Sequence, residues 1–164
     1  MTFPFSILPQ SEDEKFMLEA LKEAWKAFKA DEVPVGAVLV KDGRVIARGS
    51  NQVEMLQDAT AHAEMICMTA GEVALENWRL SGTTLYSTIE PCTMCAGAML
   101  LARVSHLVWG APDLRHGANG SWIDLFELQH PTHRLTIRKN ILQEPCAFLM
   151  RDFFQKQRQK KEIE

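Results

Sequence analysis

Val35-Gly36-Ala37-Val38-Leu39-Val40-Lys41, then Asp42-Gly43, then Arg44-Val45-Ile46-Ala47-Arg48-Gly49 is the stretch from which the fold is read. Two β-rich runs joined by Asp-Gly are the strongest short-range sign of a hairpin, because the central residues of its turn need a positive φ. The first run is almost wholly apolar, which places it mid-sheet with both faces covered. Pro34, Gly49 and Asn51 fall near the ends of the hairpin, where substrate-contacting loops gather.

On the N-terminal side, Ser11 and Glu14 fit a capping box. Met17, Leu21, Ala24, Trp25 and Phe28 then repeat at helical spacing to about residue 30, with Glu19, Lys22, Glu23 and Lys26 outward. After the hairpin, residues 51–59 read as loop. Thr60 is an expected N-cap for a helix over 61–73, with His62, Met65, Ile66 and Thr69 along one stripe. A strand over 83–89 ends before Pro91, and a second helix runs from about Cys92 to Leu101. A strand over 104–109 follows, then a loop, a helical turn at 123–128 and a fifth strand over 135–139. Pro145 suits the first position of a last helix, with Cys146, Leu149, Met150 and Phe153 inward. Residues 155–161 are polar and basic, as in a fraying helix end. The order α-β-β-α-β-α-β-β-α, without linker or repeat, predicts one layered α/β domain over residues 1–164.

With 46% hydrophobic and 24% charged residues, the 164-residue chain resembles an ordinary soluble protein. The start has no basic n-region or long apolar run, and the most apolar stretch, Ala96 to Ala102, stops at Arg103. Neither a secretory signal nor a membrane span is expected, and the cytoplasm is the default location. Of the four cysteines, Cys67 and Cys146 lack ligand spacing and read as small core residues. Residues 1–102 carry a net charge of -6 and residues 103–164 carry +3, within a total of -3. The basic last third permits contact with a polyanion without demanding it.

The chemistry lies in Thr60-Ala61-His62-Ala63-Glu64 and Glu90-Pro91-Cys92-Thr93-Met94-Cys95. His62, Cys92 and Cys95 make three zinc ligands, which leaves a fourth tetrahedral position open for an activated water. Cys92 and Cys95 lie one turn apart at a helix start, where the partial positive charge favours thiolate. Glu64 is badly placed to share the metal with His62 and better placed over the open position, as a proton carrier. His-x-Glu alone is weak; joined to Pro-Cys-x-x-Cys, its chance occurrence is on the order of one in a thousand. A structural zinc site would need a fourth ligand from His106, His116, His130 or His133, and a redox Cys-x-x-Cys would not need the His-x-Glu helix. His106 reads as structural, His130 and His133 as loop residues.

These motifs resemble the zinc-dependent nucleoside and nucleobase deaminases. Val33 to Val40, Thr60 to Glu64, Leu85 to Met99, Gly110 to Asp113, Gly117 to Ser121 and Asp152 to Phe154 narrow the resemblance to the tRNA-specific adenosine deaminase family, over about residues 11–158. The resemblance implies a three-layer α/β/α fold, cytidine-deaminase-like, with a central five-stranded mixed sheet flanked by helices. A basic tail over 155–164 would follow the core. It implies a homodimer that hydrolyses adenosine to inosine at wobble position 34 in a tRNA anticodon stem-loop, in bacteria that of tRNA-Arg with anticodon ACG. One zinc ion per subunit would be held by His62, Cys92 and Cys95, with Glu64 as proton shuttle. Asn51 would contact the nucleoside, and Pro34, Val35, Ala63 and Ile89 would line the base pocket. Asp113 would lie near the flanking nucleotides, and Phe153, Phe154 and Arg158 would touch the RNA. Ala59 stands where the family has proline, which would loosen the helix entry. Asn119 stands where a small residue is usual, with an expected effect on loop or dimer packing. Competing readings are a deaminase of a free base or nucleoside, and a non-enzymatic RNA-binding subunit that keeps the zinc site; intact Glu64 counts against the second.

Overall fold

The computed structural model describes residues 2–162. Its elements, in chain order, are α1 (Glu12–Lys29), β1 (Gly36–Lys41), β2 (Arg44–Ser50), α2 (Val53–Leu56) and α3 (Ala63–Leu75). Then come β3 (Thr84–Ile89), α4 (Thr93–Leu101), β4 (His106–Ala111), β5 (Thr136–Arg138) and α5 (Gln143–Lys161). The strands form one five-stranded sheet in the order β2-β1-β3-β4-β5. β1 pairs antiparallel with β2 and β3, while β3–β4 and β4–β5 are parallel, so the sheet is mixed as expected.

The hairpin forms where Asp42-Gly43 places it, with φ of 49° and 70° at those residues. Its register shifts between Leu39 and Val40, because Leu39 faces Ala47 and Val40 faces Val45. Ile46 is therefore the extra residue of a bulge. β1 alternates between two cores. Val38 aligns with Tyr86 and Val108 in the cluster under α1 and α5, and Leu39 aligns with Leu85 and Leu107 in the cluster under α3 and α4.

Gly36 and Gly49 let two helices approach the sheet closely. A Cβ on Gly36 would sit 2.1 Å from the Ala20 carbonyl oxygen of α1, and one on Gly49 would sit 2.2 Å from the Ala63 oxygen of α3. α3 buries Ala63, Glu64, Cys67, Met68 and Gly71, whereas Met65 and Ile66 are half-buried and Thr69 is exposed. The expected stripe of larger residues is thus rotated, because the side with small residues fits against β1 and β2.

Other differences are local. The stripe of α1 is buried as expected, and the Ser11 hydroxyl accepts from the Glu14 N–H at 3.1 Å. The Glu14 carboxylate, however, accepts from Gln10 N–H at 2.6 Å, one residue before the cap. Glu23 is not outward but buried, paired with Lys26 at 2.8 Å and with Arg48 of β2 at 3.3 Å. Residues 51–59 contain the short α2, and 123–128 form turns rather than a helix. α5 starts at Gln143 after Leu142 in the left-handed region, so Pro145 occupies the third position, where its missing N–H still has no helical partner to lose. Its far end continues in helix, tied to α1 by Lys156 over the Phe28 ring and to Asp31, just past α1, by Gln157 and Lys160. No helix among the described residues is long and apolar enough to cross a membrane.

Candidate metal centre

His62 and Cys92 are the N-cap residues of α3 and α4, and neither side chain caps its own helix. Both side chains are therefore free to point at something else. Thr60, the expected cap, is engaged instead by Asp58, whose carboxylate accepts from its N–H and hydroxyl at 2.8 and 2.7 Å. That turn holds the entry to α3 beside Ala59. Cys92 follows the carboxyl end of β3, and the N–H of Glu90, just past that strand, donates to the Ala111 carbonyl of β4. The centre thus lies beyond the carboxyl ends of parallel strands, where open α/β sheets place ligands.

The ligand atoms of His62, Cys92 and Cys95 all lie within 4.8 Å of one another. His62 Nδ1 is 3.6 Å from each cysteine sulfur. Tetrahedral zinc, with its usual bond lengths to nitrogen and sulfur, separates such atoms by about 3.6 Å. The donor set and spacing fit zinc, and three ligands leave one position for another group. Hydrogen bonding from Cys95 pulls the Cys92 thiol down to about 4, against burial and with help from His62. Cys95 is correspondingly pushed up by Cys92 and by its own burial. A metal bound by both sulfurs would release the protons that the thiols carry. Hydrogen bonding to Cys92 raises the His62 pKa.

Glu64 is 3% exposed, and its carboxylate lies against the Cys95 thiol. Ser87 of β3 donates to its Oε1 at 3.3 Å. Burial drives its pKa above the ordinary carboxylate value.

The other expected site residues are placed unevenly. Asn51 is buried, its N–H bonded to Val35 at 3.0 Å, and the next N–H, of Gln52, donates to Ala61 at 3.0 Å. Asn51 and Val35 are thereby tied to the residue before His62. Pro34 and Ala63 are buried and Val35 half-buried. Ile89 packs with the α1/α5 cluster. Asp113 is half-buried and closes its own loop: its carboxylate accepts from Arg115 and His116 N–H at 3.0 and 3.2 Å. Phe153 is core, edge-on to Phe28, while Phe154 is 43% exposed and Arg158 is exposed.

Two buried carboxylates have no role in the sequence reading. Glu32, 2% exposed, accepts from the side chain of Asn51. Glu90, 1% exposed, accepts from the N–H groups of Asn119, Ser121 and Asp113 at 2.8, 3.2 and 3.2 Å and from the Ser121 hydroxyl. It locks the 113–121 loop against Pro91-Cys92. Gly117 is required there, since a Cβ would lie 2.4 Å from the Glu90 carboxyl carbon. Asn119 adds to the lock: its Oδ1 accepts from Trp109 Nε1 at 2.9 Å. The only sequence sign of Glu90 is its place directly before Pro-Cys-x-x-Cys.

A family model of the cytidine and deoxycytidylate deaminase zinc-binding region matches residues 10–111. The tRNA-specific adenosine deaminase of Bacillus subtilis is 44% identical, over 92% of this chain and 94% of that protein. A chloroplastic tRNA(adenine(34)) deaminase of Arabidopsis thaliana is 56% identical over 87% of this chain, but the chain spans only 12% of that protein's length. A solved structure from a study of A-to-I editing by tRNA:A34 deaminases at the wobble position is 44% identical. It superposes with a TM-score of 0.79 over 82% of this chain and 98% of its own.

Proposed function

Since the chain belongs to the cytidine and deoxycytidylate deaminase zinc-binding family, we propose that it hydrolyses adenosine to inosine at position 34 of a tRNA, in bacteria tRNA-Arg with anticodon ACG. The observation that carries the chemistry is the buried Glu64 carboxylate beside a three-ligand cluster with zinc spacing. The substrate is inferred from the relatives named for tRNA adenosine.

His62, Cys92 and Cys95 would hold one zinc ion per chain, which would supply Lewis acidity to make a water molecule a nucleophile near neutral pH. Glu64 takes a proton from that water as the oxygen adds to C6 of the purine, and delivers it to ring N1. The new C6 hydroxyl then gives its proton through Glu64 to the amine, the C6–N bond breaks and ammonia leaves, so adenosine and water become inosine and ammonia. Ser87 holds the Glu64 carboxylate in place. Asn51 contacts the nucleoside, beside Pro34, Val35 and Ala63. The base must leave its stack to reach a buried carboxylate, which costs less in an anticodon loop than in a duplex. Phe154 and Arg158 on α5 offer an exposed ring and cation to the RNA, so binding weakens as salt rises. The active form is a homodimer in the cytoplasm; the exposed Val73 of α3 and Leu101 of α4 are apolar surface available for a second copy.

The test is incubation of zinc-loaded protein with bulk bacterial tRNA, free adenosine, cytidine and guanine, with inosine and ammonia measured. Inosine is expected in tRNA. Ammonia from a free base with none from tRNA would overturn the reading.

A further inference from the structure

We propose that Glu32 is a positioning residue that fixes the carboxamide of Asn51, and through it the pose of the substrate nucleoside. The inference rests on the reading of Asn51 as the nucleoside contact. Glu32 lies just past α1, where its own N–H is anchored on the Ala27 carbonyl at 3.0 Å. Its carboxylate is buried and gathers three donors. Oε2 accepts from Asn51 Nδ2 at 3.2 Å and from Glu54 N–H at 3.3 Å, and Oε1 accepts from Met55 N–H at 2.7 Å. Glu54 and Met55 are the second and third residues of α2, whose N-cap Gln52 makes no side-chain bond. Glu32 therefore caps α2 from a distance of about twenty residues in sequence and holds Asn51 with the same oxygen.

An asparagine amide can present either its oxygen or its NH₂ to a neighbour. A carboxylate only accepts, so the Asn51 NH₂ must face Glu32. One N–H is used there, and Oδ1 with the second N–H remains for the site. The backbone is fixed as well, by Val35 before Asn51 and by Ala61 after it. Backbone anchoring alone would leave the amide free to turn; Glu32 removes that freedom. Glutamine has the same shape but one accepting end, so at position 32 it would oppose an NH₂ either to Met55 N–H, the shortest of the three bonds at 2.7 Å, or to Asn51 and the longer 3.3 Å contact from Glu54 N–H. The backbone N–H cannot turn, whereas the Asn51 side chain can. Asn51 is then the group that loses its orientation.

The test compares zinc-loaded wild type, Glu32→Gln, Asn51→Ala and the double variant by single-turnover inosine formation in tRNA, with zinc content and melting midpoint measured alongside. Glu32→Gln is expected to slow the reaction about tenfold or more, with zinc retained, because misplacing a contact group carries that scale of loss. In the Asn51→Ala background the same change is expected to cost less than about twofold, as for residues acting through one another. A merely structural role would cost the same factor in both backgrounds, and that result, or an unchanged rate in Glu32→Gln, overturns the proposal. Should Glu32→Gln fail to fold or to hold zinc, Glu32→Asp, one methylene too short to reach Asn51, enters the same cycle with the same criterion. Wild type that forms no inosine overturns the reading of function and this proposal with it; an active wild type with additive losses overturns the proposal alone.

Discussion

His62 and Cys92 occupy the N-cap positions of two different helices, α3 and α4, and His62 Nδ1 lies 3.6 Å from the Cys92 sulfur. The sheet brings the two helix starts together, so the metal triangle is a property of the tertiary fold. Cys95→Ala and His62→Ala are expected to lose bound zinc, measured as metal per chain after dialysis. Chelation of wild type is expected to lower its melting midpoint, since ligand binding to the folded state is folding free energy. Full zinc retention in either variant would remove that residue from the ligand set.

Glu90 holds the 113–121 loop to the turn that carries Cys92 by accepting from four donors. Glu90→Ala orphans them in a buried setting, with an expected cost of about 3 kcal/mol or more. Chemical denaturation measures it; a loss under about 1 kcal/mol would mean that the donors find other partners.

Gly49→Ala drives a Cβ to 2.2 Å from the Ala63 oxygen and 2.7 Å from Cys67 N. Both are backbone atoms of α3, so the helix must shift and carry His62 with it. Destabilisation of about 2 kcal/mol is expected from overpacking, with weaker zinc binding. A denaturation curve and a competitive chelator titration read the two effects separately.

Asp13 receives hydrogen bonds from Tyr86 and Arg138, which joins α1 to β3 and β5. Burial works to raise its pKa, but the bonds from Arg138 and Tyr86 outweigh it and hold the carboxyl below the usual range. A depressed folded pKa contributes stability that is complete above the unfolded value, about 3.9, and is lost as pH falls through the folded one. Asp13→Asn is therefore expected to melt lower than wild type at pH 7, with the gap closing below about pH 4. Melting curves across that range check it; a gap independent of pH would assign the loss to packing.

Local chemistry made part of this legible from residues alone. Asp42-Gly43 set the hairpin, the apolar repeat of α1 set its buried face, and the His-x-Glu and Pro-Cys-x-x-Cys spacings pointed to the His62, Cys92 and Cys95 side chains that the fold brings together. Where long-range packing decides, the pattern misled. α3 buries its small side because glycine and alanine admit the closest approach to β1 and β2, so the stripe drawn through Met65 and Ile66 was rotated. Glu23 looked like a surface charge because its partner Arg48 lies on a strand 25 residues away. Phe153 and Phe154 are adjacent and alike, yet only contact with Phe28 shows which one is core. Glu32 and Glu90 have partners 19 to 31 residues distant, and no periodicity reports those. Asn119, which stands out by its departure from the family pattern, has its reason in the Trp109 indole.

The central claim is that Glu64 moves the protons of a zinc-dependent deamination of tRNA adenosine. It is tested most directly with zinc-loaded wild type and Glu64→Ala on tRNA-Arg bearing anticodon ACG, with inosine at position 34 read by reverse transcription and zinc measured in the same samples. Wild type is expected to convert position 34, while Glu64→Ala keeps its zinc and forms no inosine. Inosine from the variant at a comparable rate would contradict the account.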